Sequence, residues 1–253
     1  MTRIDSAKNP RVLDARRALE RGERVPLEGE RTLREALDAG LAVEEVFAAA
    51  GTDPLLLAEA LRRGASVHEV TARVLERLSD LASARGLVGL ALAPSRTPDA
   101  VEPGPDGIVL LLDGVQDPAN VGALLRSAEA FGAAGALLLS GCASPFSARA
   151  LRASAGSALR LPVAAGVGAS EAVTWARRRG ALLAGADAHG GELPDPAKLR
   201  RPIVLAVGAE GRGLSDEVSS ALDVRLTLPL AGRVESLNAA VAGALLLYLL
   251  ARR

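Results

Sequence analysis

The stretch Ile108–Gly132, IVLLLDGVQDPANVGALLRSAEAFG, decides the fold class. Its opening run, Ile108 to Leu112, is apolar at every position, the mark of a buried strand. Asp113, Gly114, Asp117 and Pro118 then make a turn. Asp117 can cap a helix whose first position is Pro118, where a missing N–H costs nothing. Val121, Leu124, Leu125 and Ala128 fall on one helical face that would pack against a sheet. Asn120 at the helix start and Arg126 six residues on interrupt this plain pattern. An amide and a guanidinium beside a strand end are placed to meet a ligand. An extra cap and a surface charge on one more helix of an α/β sheet explain them too, and the stretch alone leaves both readings open.

Outward from this stretch, 253 residues with 49% hydrophobic composition suffice for two compact units. The 30 basic and 30 acidic residues cancel, so a nucleic-acid partner would have to be held by local patches. A single cysteine, Cys142, excludes an internal disulfide and a cysteine-rich zinc site; it is expected to be a buried small side chain. Two distant histidines, His68 and His189, argue against a histidine metal cluster, and no metal is expected. The longest apolar run, Ala239 to Leu250, is too short to span a bilayer, and the N-terminus has no signal-peptide core. A cytoplasmic protein is expected.

Before the stretch, short strands and helices alternate over residues 1–92, as in a small α/β domain. Helices are expected from Ser6–Pro10 to Gly22, over Thr32–Ala39, Pro54–Arg63 and Thr71–Ala82, strands over Val25–Leu27, Val43–Ala49 and Leu87–Leu92, and a short strand or turn over Val67–Val70. Lys8, Arg11, Arg16 and Arg17 make its start the most basic part of the chain, fit either to grip phosphates or to solvate a helix face. His68 is expected to be a local hydrogen-bonding residue. Residues 93–107, with four prolines and two glycines, mark a linker, and 108–253 form the second domain.

Beyond the stretch, strands are expected at Ala136–Leu139, Leu161–Ala164, Ala181–Ala184, Pro202–Val207 and Arg225–Leu228. A short helix is expected over Ser147–Ala153, a flexible Ser154–Ser157, and a helix capped by Ser170 that turns Trp175 inward. The closing helix, Asn238 to Ala251, is apolar on every side and must be buried in the sheet or in a partner subunit. Three loops at strand ends, Gly185–Gly191, Gly208–Gly213 and Pro229–Asn238, are the natural crevice of an open α/β sheet. The loop GAEGRG matches neither the dinucleotide fingerprint nor the phosphate-loop pattern, and Glu210 at its centre disfavours a phosphate cradle. It suits a neutral or cationic ligand, or an ordinary turn.

The second domain resembles the SpoU/TrmH family of RNA ribose 2'-O-methyltransferases, within the knotted SPOUT class. The resemblance rests on DGVQDPANVGALLRSAEAFG with Asn120 and Arg126, on IVLAVGAEGRGLSDE with Glu210, and on LPLAGRVESLNAAVAGALLLY with Ser236, Leu237 and Asn238, joined by RASAGSALRLPV between them. SAKNPRVL, EGERTLREAL and GLVGLA near Arg85 are similar to the family's small substrate-binding domain, shaped like ribosomal protein L30e. Relatives usually carry Val and Ser where this chain has Ala239 and Ala240, which removes one hydroxyl near the cofactor.

The resemblance implies a deep trefoil knot around a parallel sheet, a homodimer with each site near the subunit interface, and S-adenosyl-L-methionine as cofactor. It implies that Ala184, Gly185, Gly208, Gly213, Leu228, Leu230 and Leu237 hold the cofactor, with Arg126, Asn120, Glu210, Ser236 and Asn238 as catalytic residues. Arg126 would orient the ribose 2'-hydroxyl or a neighbouring phosphate rather than accept a proton, because a guanidinium stays protonated. RNA would be gripped by Lys8, Arg11, Arg16 and Arg17, joined by Arg149, Arg152 and Arg160. The front domain favours large-subunit (23S) rRNA as substrate over tRNA. A non-catalytic RNA-binding or ribosome-assembly protein of this fold is the rival of another class, and a nucleotide-dependent dehydrogenase is a second.

Overall fold

The computed structural model describes residues 2–79, 86–94, 96–188 and 190–252. It divides into two compact units, Met1–Pro94 with Phe146–Ala148, and Ser95–Pro145 with Arg149–Arg253. Arg85, His189 and the expected helical residues 80–82 lie outside the described residues.

In the first unit the elements run β1 (Thr2–Ile4), α1 (Pro10–Glu20), β2 (Val25–Glu28), α2 (Glu30–Asp38), β3 (Val43–Ala48), α3 (Pro54–Arg62), β4 (Ser66–Val70), α4 (Ala72–Leu78) and β5 (Leu87–Ala91). Proline at the first turn starts α1 and α3, and Asn9 and Asp53 cap them by accepting from Arg11 N and Leu55 N. The sheet has the order β1-β4-β3-β5-β2, with β5 antiparallel to both neighbours and the remaining pairs parallel. Phe47, Val12, Val74, Leu75, Leu78 and Val88 form its core. Strand β1 had no signal in the sequence: with only three residues, it is defined by its pairing with β4.

The second unit runs β6 (Ile108–Asp113), α5 (Pro118–Ala130), β7 (Gly135–Leu139), α6 (Ala148–Ser154), α7 (Ser157–Arg160), β8 (Val163–Val167), α8 (Ala169–Arg178), β9 (Leu182–Ala186), β10 (Ile203–Gly208), α9 (Asp216–Ser220), β11 (Val224–Leu226) and α10 (Ala239–Ala251). All six strands are parallel, in the order β11-β9-β10-β6-β7-β8, so the protein is α/β with a parallel sheet. Strand β6 sits between β10 and β7 and is buried along its whole length, as its apolar run requires. Asp117 caps α5 through Ala119 N at 3.0 Å, with Pro118 next, and the face Val121, Leu124, Leu125 and Ala128 is buried.

Four local differences from the sequence reading have clear causes. Ser170 is inside α8, whose first turn closes instead by Glu171 Oε2 accepting from Gly168 N. Residues 154–157 are not loose: Ala155 and Gly156 take positive φ, and Ser157 opens α7. Within the expected linker, residues 98–100 form a 3-10 turn and Val101 is fully buried against the core around Trp175 and Leu137. Asn238 caps α10 rather than entering it, accepting at Oδ1 from Ala240 N (2.9 Å) and Val241 N (3.2 Å).

Candidate functional site

The C-terminal ends of β9, β10 and β11 and the chain leading into α10 enclose a cavity of about 640 Å³, within the usual range for small-molecule sites. Its leucine wall comes from Leu228, Leu230 and Leu237, and Gly208, Glu210, Gly213, Ser236 and Asn238 also line it. These are eight of the residues expected from the motifs. A Cβ on Gly208 would collide with the backbone of Gly213, so the loop can close only over glycine. Ala209 and Gly213 then exchange two backbone hydrogen bonds, 3.1 and 2.9 Å, which present Glu210–Gly211–Arg212 as a fixed tip. Asp113, buried at the end of β6, accepts from Ser215 N at 2.7 Å and ties the far side of this loop to the sheet.

The three motif residues Asn120, Glu210 and Asn238 meet at one point. Glu210 Oε1 accepts from Asn120 Nδ2 at 2.9 Å, from Asn238 Nδ2, and from Ala239 N at 3.4 Å. Asn238 Nδ2 also lies 3.2 Å from Asn120 Oδ1. The carboxylate therefore sits at the N-terminus of α10, where the helix dipole favours negative charge, and its own charge is taken up by donors. This answers why an acid occupies the glycine loop: Glu210 fastens α5 and α10 to it.

Other expected residues stand elsewhere. Ala184 is fully buried in β9, and a Cβ on Gly185 would meet Leu222 and, at 2.9 Å, Leu214; both belong to the sheet's packing rather than to the lining. The lining on this side begins two residues on, at Ala186, Asp187 and Ala188. Asp187 accepts from Arg225 Nη1 at 2.9 Å, and Arg225 also reaches Ser219 Oγ at 2.6 Å. No motif announced this pair, although Asp187 lies in the loop 185–191 singled out from the sequence. Arg126 is exposed on α5, outside the lining of its own chain's cavity, and engages no hydrogen-bond or ion-pair partner among the described residues.

The basic residues are partly committed. Arg16 pairs with Glu20 at 2.7 Å, Arg17 with Asp14 at 3.3 Å, and Arg149 with Asp117 at 3.3 Å. Arg160 forms a fork to Glu129 at 2.7 and 2.8 Å, which holds that carboxyl below its usual range. Arg11 lies 3.5 Å from Glu45 and donates to His68 Nε2 at 3.0 Å. Only an unprotonated nitrogen can accept from arginine, so the His68 proton is on Nδ1, which faces Thr2 Oγ1 at 2.6 Å. His68 is thus the local hydrogen-bonding residue expected, and burial, then Arg11, hold it below the usual histidine range. Lys8 and Arg152 are both exposed, with no side-chain partner among the described residues.

Cys142 is half-buried and donates to the Leu112 carbonyl at 3.3 Å, and burial pushes its thiol up, away from nucleophilic thiolate chemistry. Among the described residues no cluster could hold a metal ion, and no helix is long and apolar enough to cross a membrane.

Residues 107–248, more than half of the chain, match the family model described as the SpoU rRNA Methylase family. This chain belongs to the SpoU rRNA methylase family. Residues 5–89 match a second model, the MRM3-like substrate binding domain. A tRNA/rRNA methyltransferase from Mycobacterium sp. (strain KMS), itself uncharacterized, is 35% identical over 238 residues, covering 89% of this chain and 75% of the relative. A crystal structure of an RNA 2'-O ribose methyltransferase superposes with a TM-score of 0.81 at 33% identity, covering 99% of this chain and 98% of the other. An AdoMet-bound rRNA methyltransferase from Sinorhizobium meliloti gives a TM-score of 0.88 at 27% identity, with coverage of 99% and 97%. Within this SpoU protein the polar junction and the leucine-walled cavity lie inside the residues that the family model matches, and RNA methylation is the activity of the family.

Proposed function

We propose that this protein transfers a methyl group from S-adenosyl-L-methionine to the 2'-hydroxyl of a ribose in RNA, with large-subunit rRNA as the substrate. The observation that carries the reading is the convergence of Asn120, Glu210 and Asn238 on one oxygen at the edge of a cavity walled by Leu228, Leu230 and Leu237. The cavity fits the cofactor's chemistry: leucine side chains suit a flat purine, and glycine backbone at 208 and 213 leaves amide and carbonyl groups open to its polar edge. When bound, the cofactor supplies a methyl carbon already activated by a positive sulfur. The protein's own work is alignment and handling of charge. Glu210, bonded to both asparagines, holds the glycine loop and the head of α10 in register, and Ser236 and Asn238 border the space for the ribose.

Arg126 keeps its proposed role of orienting the 2'-hydroxyl and stabilising developing negative charge. Its place outside its own chain's cavity is accommodated by a homodimer in which the sites lie near the subunit interface. The outer face of α10 supports that assembly, with Val241, Leu245 and Tyr248 exposed at 48%, 43% and 44% and spaced to form one stripe. The front unit, with Lys8, Arg11, Arg16 and Arg17, serves as the RNA-holding domain of L30e type, and 93–107 is the segment that joins it to the methyltransferase domain. The chain from β10 to α10 forms the trefoil knot of the SPOUT class. The protein works in the cytoplasm. Transfer of labelled methyl to ribosomal RNA, followed by mapping of the modified nucleotide, tests the reading. Label on a base, or only on tRNA, would redirect it.

A further inference from the structure

Among the described residues lining the cavity there are two guanidinium groups, and only one is uncommitted. Arg225 is engaged by Asp187 and Ser219. Arg212 has neither a hydrogen-bond nor an ion-pair partner, and it is exposed. Its backbone is nevertheless held on both sides. The turn beneath it is closed by the Ala209–Gly213 hydrogen bonds, and the chain just after it is tied to Asp113 through Ser215 N. Its side chain extends over the loop that follows β6. A Cβ on Gly114 would lie 3.1 Å from Arg212 Nη2, and Gly114 has φ +68°, so glycine there leaves room for the guanidinium. The result is a free, planar cation on a clamped turn, at the mouth of the proposed methyl-transfer cavity.

We infer that Arg212 binds the RNA phosphate adjacent to the target ribose. The inference rests on the proposed 2'-O-methyltransferase reading. In RNA the 2'-hydroxyl sits next to the carbon that carries the 3'-phosphate. Any ribose presented to the cavity therefore brings an anion to its mouth. A guanidinium offers that phosphate a two-pronged, charge-assisted grip. Arg212 is exposed, so an anion that arrives from solvent, as a substrate phosphate does, reaches it without entering the cavity. Asn120 and Glu210 are already satisfied by each other and by Asn238, which leaves Arg212 as the cation of this chain's own cavity free to take it.

The test uses the full-length protein, an in vitro transcribed large-subunit rRNA and the variants Arg212→Gln and Arg212→Lys. Methyl-donor affinity is measured by calorimetry, RNA affinity across a salt series, and KM for RNA separately from kcat. Arg212→Gln is expected to leave the melting temperature and methyl-donor affinity unchanged. It should raise the KM for RNA on the order of tenfold and flatten the log–log salt dependence of RNA binding by roughly 0.7, the loss of one phosphate contact. Arg212→Lys should recover the salt slope and part of the KM. An unchanged slope in Arg212→Gln would overturn the assignment, as would a fall in methyl-donor affinity, which would place the cofactor's carboxylate there instead. Wild-type protein that binds neither methyl donor nor RNA would overturn the methyltransferase reading, and this assignment with it.

Discussion

Asn238 does two jobs with the two ends of one amide, and the jobs can be separated. Its oxygen caps α10 and its nitrogen reaches Glu210 and Asn120. Asn238→Ala should cost about 1 kcal/mol of stability through the lost cap and should also weaken methyl-donor binding. Asn238→Asp keeps a capping oxygen but turns an acceptor toward the Glu210 carboxylate. Urea unfolding should show most of the stability regained, while methyl transfer stays low; full activity in Asn238→Asp would remove the junction from the proposed site. Each member of this trio was legible as part of a motif. Their meeting was not, because they lie 90 and 28 residues apart from Glu210 and nothing local encodes the loop closure that joins them. His68 shows the reverse. It reads as an isolated residue, yet the β1–β4 pairing brings it to Thr2, and α1 supplies Arg11. Its folded-state pKa is lowered, so the unfolded chain binds more protons there, and its contribution to stability is full above about pH 6.5 and fades as pH falls below it. Glu45 opposes this: burial raises its pKa, and its contribution is lost as pH rises through the raised value. Protection factors of the β4 amides, taken relative to the intrinsic exchange rate at each pH, should therefore fall less on acidification in His68→Gln than in wild type; equal pH dependence would mean that His68 titrates as in the unfolded chain.

Helix α5 approaches α6 and α10 closely because glycines face the contacts, Gly122 toward α6 and Gly243 toward α5. A Cβ on Gly122 would strike the carbonyl oxygen of Ala150 and lie 2.7 Å from Ala153 Cβ. A Cβ on Gly243 would strike the tip of Leu124 and lie 3.2 Å from Val207 Cγ2. Alanine improves helix propensity by about 1 kcal/mol over glycine, so both substitutions would stabilise isolated helices. Here overpacking, roughly 1–3 kcal/mol, should outweigh that gain. Gly122→Ala should be the costlier, because a backbone carbonyl cannot step aside as a leucine methyl can. Denaturation midpoints in the order wild type, Gly243→Ala, Gly122→Ala check this, and the opposite order of the two variants would contradict the packing. At this scale the sequence was informative about kinds of element and less so about their arrangement. The apolar runs of β6 and β10 and the Asp117–Pro118 cap specify strands and a helix start directly. The order β11-β9-β10-β6-β7-β8 depends on crossover choices that no local pattern records. For the same reason Ala184 and Gly185, assigned from motif position, face the sheet's packing while the lining starts at Ala186.

For the molecule as a whole, the relation that matters is between Arg126 and the cavity. Arg126 is exposed on α5, and α5 packs beside α10, whose stripe of Val241, Leu245 and Tyr248 faces outward, with Phe131 at the end of α5 meeting the Tyr248 ring at 5.6 Å. A second copy covering this stripe would bury an apolar face and bring one chain's α5 toward the other chain's site. Light scattering should give twice the chain mass of 25.9 kDa, and Leu245→Glu should shift it to the monomer and abolish methyl transfer. The sharper test mixes two inactive variants. In an Arg126→Ala subunit the cavity is intact, and in a Glu210→Ala subunit the guanidinium is intact. If Arg126 serves the partner's site, each mixed dimer holds one complete site, and random mixing restores about a quarter of wild-type activity. If it serves its own chain's site, every site in every dimer lacks one of the two groups, and mixing restores nothing. Its position outside its own cavity makes the first outcome the expected one, with dimer exchange verified by tags of different mass on the two variants.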